Sequence, residues 1–293
     1  MIAKKKRYWE VDFTRGICMI LIVFGHAMYS FAEVLPVIWD VLNVKYFTKM
    51  PDLGWDYWEW NFREVVRIFV ITAFFVLCGI SCTFSRSNLK RGIKTFGVAI
   101  AITFVTTTVD RFFNAGVTIR FGVIHMLSIA MILYAVIDKL GALIQKIKKN
   151  NVTLWIRRLL PGAVGIIILV IYFAMWGELK LSGDRIGFNC TVTVNSDNKF
   201  GNLLFVLMYV NGAKGFYSAD FFPLLPYVAI VLMGSIFGWI IYHTGAKNYL
   251  SRLDGDWNKG VCFVGKHSII VYLTHQVVII GVLFIIGIFV KIF

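Results

Sequence analysis

Charge is what this sequence has least of. Charged residues make up 16% of its 293 positions, where a soluble domain carries roughly a quarter. Acids are the scarcer kind, with 16 Asp and Glu against 30 Lys and Arg. A solvated globular surface over most of the chain is therefore excluded. Cysteine is sparse as well: Cys18, Cys78 and Cys82 fall within apolar runs, Cys262 starts another, and Cys190 stands alone in a polar segment. That pattern excludes a disulfide framework. The sequence contains no HExxH, no paired carboxylates, no nucleophile elbow and no P-loop, so metal chemistry and nucleotide hydrolysis lack a sequence basis. There is no internal repeat, linker or low-complexity tract, and residues 1–293 read as a single domain.

What the chain has in abundance is apolar sequence, at 58%. Lipid offers backbone groups no hydrogen bonds, so long apolar runs must be helices. The fold class expected is an all-α integral membrane protein, a single bundle of about seven transmembrane helices. The spans fall near Gly16–Phe31, Ile68–Phe84, Phe96–Val109, Phe121–Leu143, Leu159–Trp176, Phe221–Tyr242 and Val261–Val290. The third is short for a bilayer and is expected to begin with part of the basic turn, and Pro161 is expected in the first turn of the fifth, where proline costs least. Trp55, Trp58 and Trp60 suit an interfacial belt after the first span. Leu203–Val210, within the polar outer segment Gly177–Asp220, is apolar but far too short to span, and an interfacial or re-entrant piece is expected there.

With these spans the inner stretches carry 19 Lys and Arg against 5 Asp and Glu, and the outer stretches 11 against 11. The net charge of +14 thus lies on one side, which places the amino terminus in the cytoplasm and removes nucleic acid as the explanation of a pI near 9.6. Basic inner loops also attract anionic lipids and phosphorylated cofactors. Lys4-Lys5-Lys6-Arg7 before an apolar run resembles a signal peptide, but no small-residue cleavage site follows, so the first span is read as retained.

Ionisable residues inside apolar spans are expensive and by default suggest function. Asp12 and Arg15 stand at the inner end of the first span, and His26 follows eleven residues after Arg15. Eleven steps of 100° return His26 to within about 20° of the Arg15 face, about 16 Å deeper. A cation at the mouth and an imidazole deep on the same face suit a reaction whose donor enters from inside. The competing reading makes Asp12 and Arg15 a flanking ion pair and His26 a buried histidine bonded to a neighbouring helix. Arg120 and His125 bracket the start of the fourth span and Asp220 the start of the sixth, while Arg63, Glu64 and Arg67 sit at the outer end of the second. With His26 they suggest one pocket, or else an ordinary belt. Ser268, Tyr272 and His275 share a face of the last span by their four and three spacing, for interhelical hydrogen bonding or for chemistry.

The run RYWEVDFTRGICMILIVFGH (Arg7 to His26) resembles the opening of the membrane acyltransferases related to heparan-alpha-glucosaminide N-acetyltransferase, and in particular their bacterial branch. Four further segments resemble the same family in order along the chain: FFVLCGISCTFSRSNLKRG, IRFGVIHMLSIAMIL, DFFPLLPYVAIVLMGSIFG and GKHSIIVYLTHQ. The resemblance implies transfer of an acyl group, usually acetyl from acetyl-CoA, to a sugar or glycolipid acceptor across a membrane. It makes His26 the candidate base or acyl carrier, with Arg15 and Asp12 beside it. His125 and Asp220 match motif positions, and Arg120, Tyr272 and His275 join them as candidates for the acceptor side. In the animal enzymes the essential histidine belongs to the outer segment after the first span, but this chain has no histidine between residues 27 and 124. Direct transfer and an acyl-histidine intermediate both stay open.

The expectation is thus an acyl-CoA-dependent acyltransferase of a bacterial cytoplasmic membrane, using no metal. Arg86, Lys90 and Arg91 are expected to hold the donor's phosphates, and Arg120 or Tyr272 offers a donor toward the thioester oxygen. Partners are acyl-CoA, the acceptor and membrane lipids, with a homo-oligomer left open and nucleic acid excluded. The rival reading is a multi-span transporter or lipid-handling protein without covalent chemistry. Repeated, interrupted helices would favour that rival, and the sequence shows none.

Overall fold

Backbone groups in hydrocarbon must be satisfied within their own segment, and the chain answers this with helices almost throughout. The computed structural model describes residues 8–44, 49–113, 116–182, 185–190, 207–208, 218–244, 246–253 and 257–292. Six described helical runs are long and apolar enough to cross a membrane, and a seventh apolar helix, Tyr227–His243, is shorter. The chain is an integral membrane protein of helical architecture. Its helices form two compact units, Met1–Phe74 with Ser182–Ile186 and Leu253–Phe293, and Phe75–Leu181 with Gly187–Arg252.

The first unit begins with a 34-residue run made of α1 (Trp9–Tyr29), a π turn (Ser30–Val34) and α2 (Leu35–Leu42). Asn43 ends it in the left-handed region, with φ of 55°, as helix termini favour. Next come α3 (Lys49–Glu59) and α4 (Asn61–Thr83), which carries the boundary between the units. The unit is completed by α9 (Lys259–Lys266) and α10 (Ser268–Ile292). Two glycines let α9 lie on α1. A methyl group on Gly16 would meet the Val261 carbonyl, and one on Gly265 would meet the Asp12 carbonyl. Close backbone approach through small residues is how helices associate in lipid, where apolar surface gives no preference for protein over solvent. Leu35, Ile38, Trp39 and Leu283 form a core between α2 and α10.

The second unit contains the end of α4, α5 (Asn88–Phe113), α6 (Val123–Ile147), α7 (Asn151–Met175) and α8 (Tyr227–His243). Gly79 on α4 lies against Val231 and Gly234 on α8, and Gly234 returns the contact at Val76. Cys82, Met131, Tyr134, Ile137 and Leu232 are the buried centre. Between α7 and α8 the polar segment contains a two-stranded ribbon, β1 (Gly177–Ser182) and β2 (Arg185–Cys190), outside the helical bundle class that the chain otherwise keeps.

Several boundaries differ from those expected. Pro161 lies inside α7, not in its first turn. The helix starts eight residues earlier than expected, at Asn151, because Asn150 caps it, its side chain accepting from the Thr153 amide at 2.8 Å. An interior proline removes one backbone bond and costs about 3 kcal/mol in water, but packed neighbours accommodate it in membranes. The short third span does take in part of the basic turn, as expected: 26-residue α5 includes Lys90, Arg91 and Lys94. The last apolar run breaks at His267 into α9 and α10, so one helix is interrupted after all. The segment after the first span is helical at α2 and α3. The piece expected at Leu203–Val210 lies outside the described residues except for 207–208.

Candidate active site

His26 lies four residues before Ser30, where α1 changes pitch. The Ser30 hydroxyl donates to the His26 carbonyl at 2.9 Å, and the Ser30 amide reaches the carbonyls of both His26 and Ala27. The wider π turn Ser30–Val34 follows at once. Single π turns inside membrane helices recur at functional sites because the extra residue redirects side chains. A second helix reads this turn: Gln276 of α10 donates from Nε2 to the Ser30 hydroxyl at 3.0 Å. Ser30 is fully buried.

One residue before Gln276, His275 faces His26, with ring centroids 4.8 Å apart and planes tilted by 58°. Nδ1 of His275 lies 2.6 Å from the Tyr272 carbonyl. A carbonyl only accepts, so Nδ1 carries the hydrogen and Nε2 of the neutral ring carries the lone pair. The Tyr272 ring itself lies 5.6 Å from that of His275. The sequence-based face of α10 is thus turned toward α1, and Tyr272, His275 and Gln276 share it. Gln276 was not singled out, although its i+4 spacing from Tyr272 marks it.

The π turn is covered by α3. A methyl on Gly54 would meet the Met28 carbonyl and the Ala32 backbone. Tyr57 sets its ring edge to face against Phe24 at 5.3 Å, and Trp58 meets Tyr29 at 5.5 Å. Arg63 then stacks over Trp58 at 4.0 Å and donates from Nε to the Trp58 carbonyl at 3.0 Å. Glu64 accepts from Arg63 and, at 2.7 Å, from Arg67. Arg63 and Glu64 are only 6% and 5% exposed, so this is a built ion cluster that fixes the α3–α4 corner. Burial raises the Tyr57 phenol above its ordinary pKa, with Arg63 opposing and Glu64 adding.

At the other end of α1, Arg15 pairs with Asp12 at 3.6 Å, and Asp12 is buried under α9. Trp9, Phe13 and Trp257 close an aromatic cluster around that end, with centroids 5.2–6.0 Å apart. Arg15 therefore belongs to the same helix and unit as His26.

The remaining sequence candidates lie in the second unit. Nδ1 of His125 accepts from the Gly122 amide at 3.3 Å, and Nε2 lies 3.2 Å from the Thr103 hydroxyl. Asp220 accepts from the Val123 amide at 3.4 Å. Both side chains thus serve orphan amides at the start of α6, where a carboxylate also suits the helix dipole. Arg120 is exposed just before that turn. At the α4–α5 turn, Arg86 and Lys90 are exposed, while Arg91 donates to the Ser81 carbonyl at 3.3 Å. Among the described residues no three His, Cys, Asp or Glu side chains converge as a metal site.

Two facing imidazoles, one with its tautomer set by a carbonyl, offer a proton acceptor and a nucleophile on neighbouring helices. The family model described as "Heparan-alpha-glucosaminide N-acetyltransferase, catalytic" matches residues 7–277. No curated protein and no solved structure matches the chain.

Proposed function

From the chain's membership of the heparan-alpha-glucosaminide N-acetyltransferase catalytic family, which makes it a membrane acyltransferase, we propose that it moves an acetyl group from acetyl-CoA to a sugar or glycolipid amine or hydroxyl, with His26 at the centre of the reaction. The observation that carries this reading is the His26–His275 pair, with ring centroids 4.8 Å apart, where Ser30 bonds the His26 carbonyl and Gln276 bonds Ser30. In direct transfer the acceptor heteroatom forms a bond to the thioester carbonyl carbon while His26 takes its proton. The C–S bond then breaks, and the proton passes to the departing thiolate of CoA. In the two-step route a His26 nitrogen forms the bond to the acyl carbon as the C–S bond breaks, and CoA leaves as a thiolate that takes the imidazole proton. The acceptor heteroatom then bonds to that carbon as the C–N bond breaks, and its proton returns to the freed imidazole. His275 packs against the His26 ring in either route, and the Tyr272 hydroxyl is proposed as a hydrogen-bond donor. A base in position contributes about 10²–10⁴ in rate.

The donor is proposed to approach from the cytoplasmic face, where the charge asymmetry puts Arg15, Arg86, Lys90 and Arg91. Arginine and lysine suit phosphate contacts there. Asp12 orients Arg15. The acceptor is proposed to meet the outer side, where the charge asymmetry puts Arg120, His125 and Asp220. The match over residues 7–277 spans both compact units and supports treating them as one acyltransferase domain.

The test is incubation of the purified full chain with labelled acetyl-CoA and a panel of amino-sugar-terminated glycans, scoring free CoA and labelled product together. Product from wild type and none from His26→Gln supports the reading. Acetyl transfer by folded His26→Gln at the wild-type rate removes His26 from the chemistry.

A further inference from the structure

The turn between α6 and α7 borders an open groove of about 400 Å³ that the transfer reaction does not use. It is lined by Gln145, Lys146, Lys149, Asn150, Asn151 and Arg157, with Ala142 and Leu154 beneath. The site is built from the sequence up. Gly141 has no side chain, so α7 comes close enough for the Arg157 stem to lie on it, about 3 Å from where a methyl would stand. Arg157 is then fixed in one rotamer: Nε donates to Asp138 Oδ1 at 3.0 Å, Nη2 to Oδ2 at 3.2 Å and Nη1 to Gln145 Oε1 at 3.2 Å. Asp138 neutralises it, so Arg157 contributes a rigid floor of donors and no net charge. The charge comes from Lys146 and Lys149, both exposed at the rim. The amino-terminal end of 25-residue α7 adds its positive dipole end at Asn151.

We propose that this groove binds a phosphate group, and specifically the phosphodiester headgroup of an anionic membrane phospholipid. Position decides for a lipid over a soluble phosphate. The groove lies at the ends of two membrane-spanning helices, and exposed apolar residues adjoin its lining residues along both helices. Leu143 and Ile147 of α6 are 55% and 88% exposed, and Val152 and Ile156 of α7 are 64% and 43% exposed. A headgroup in the basic groove with chains on these four residues satisfies both chemistries. A free phosphate leaves these apolar residues in water. Basic pockets between membrane helices are suited to such headgroups, at about 1 kcal/mol per Lys or Arg near the surface.

The experiment uses the full chain in detergent and measures binding of dioctanoyl phosphatidylglycerol, dioctanoyl phosphatidylcholine, inorganic phosphate and CoA. Saturable phosphatidylglycerol binding is expected in wild type and is weakened about tenfold in Lys146→Gln/Lys149→Gln. It stays unchanged in the control Lys94→Gln/Arg111→Gln, which removes equal charge elsewhere in the same unit. Phosphatidylcholine and inorganic phosphate should bind at least tenfold more weakly. All four substituted positions are exposed, and an unchanged melting midpoint without lipid confirms that both variants fold. Equal lipid binding by the Lys146/Lys149 variant overturns the site. Phosphatidylcholine binding as tight as phosphatidylglycerol overturns the charge argument. Phosphate or CoA binding tighter than the lipid, and lost in the same variant, overturns the headgroup assignment in favour of a soluble phosphate.

Discussion

His26 tests how much one imidazole carries. His26→Gln keeps hydrogen-bonding ability but cannot take a proton, so activity should fall about 10²–10⁴-fold with the melting temperature nearly unchanged. A parallel loss of stability and activity would make His26 a structural residue. Gln276 acts one step further out, through the Ser30 hydroxyl that also holds the His26 carbonyl. Gln276→Leu should lower kcat about tenfold or more while the KM for acetyl-CoA stays within twofold, because the ring is misplaced and the donor site untouched. A raised donor KM with unchanged kcat would contradict that positioning role. His26 was readable in the sequence because an ionisable group in an apolar run is costly. Ser30 and Gln276 were not, because neutral polar residues are common in such helices and only a neighbouring helix gives them meaning. His125 and Asp220 stood out for the same reason as His26. The structure finds them both bonded to the start of α6, a role that spacing does not distinguish from chemistry.

At the scale of elements, hydropathy marks where helices are and composition hides where they bend. The π turn Ser30–Val34 has no residue signature, since one extra residue per turn costs little when a packed neighbour compensates. The covering helix α3 looked like an interfacial aromatic belt, and Gly54 is the residue that lets it approach the turn. The α1–α9 crossing makes the most direct prediction at this scale. Gly265→Val places a side chain against the Asp12 carbonyl, and overpacking of this kind costs about 1–3 kcal/mol. The variant should melt several degrees lower and disturb the Asp12–Arg15 pair, raising the KM for acyl-CoA. Unaltered melting would mean that α9 does not rest on α1 there. The interruption at His267 escaped hydropathy because the apolar run continues on both sides of it.

At the scale of the whole molecule, the spans and their number followed from the solvent alone, and their lengths did not. Arg157 lies within α7 with its stem on Gly141, so charge was a poor marker of where that helix starts. Topology is checked by single cysteines placed at exposed positions in intact cells. Arg86→Cys and Lys149→Cys should react only after the membrane is opened, whereas Asp56→Cys should react from outside. External labelling of Arg86→Cys would reverse the drawn orientation. The central claim joins topology to chemistry, and sealed proteoliposomes test it most directly. Acetyl-CoA is added to one side only, an amino-sugar acceptor is trapped on the other, and the orientation of the protein is scored by the cysteine labels. Acetylated acceptor should form inside vesicles whose basic face is outward, and His26→Gln should form none. Wild-type vesicles that release no CoA and make no product with any acceptor, or His26→Gln vesicles that match them in product formed, would contradict the account.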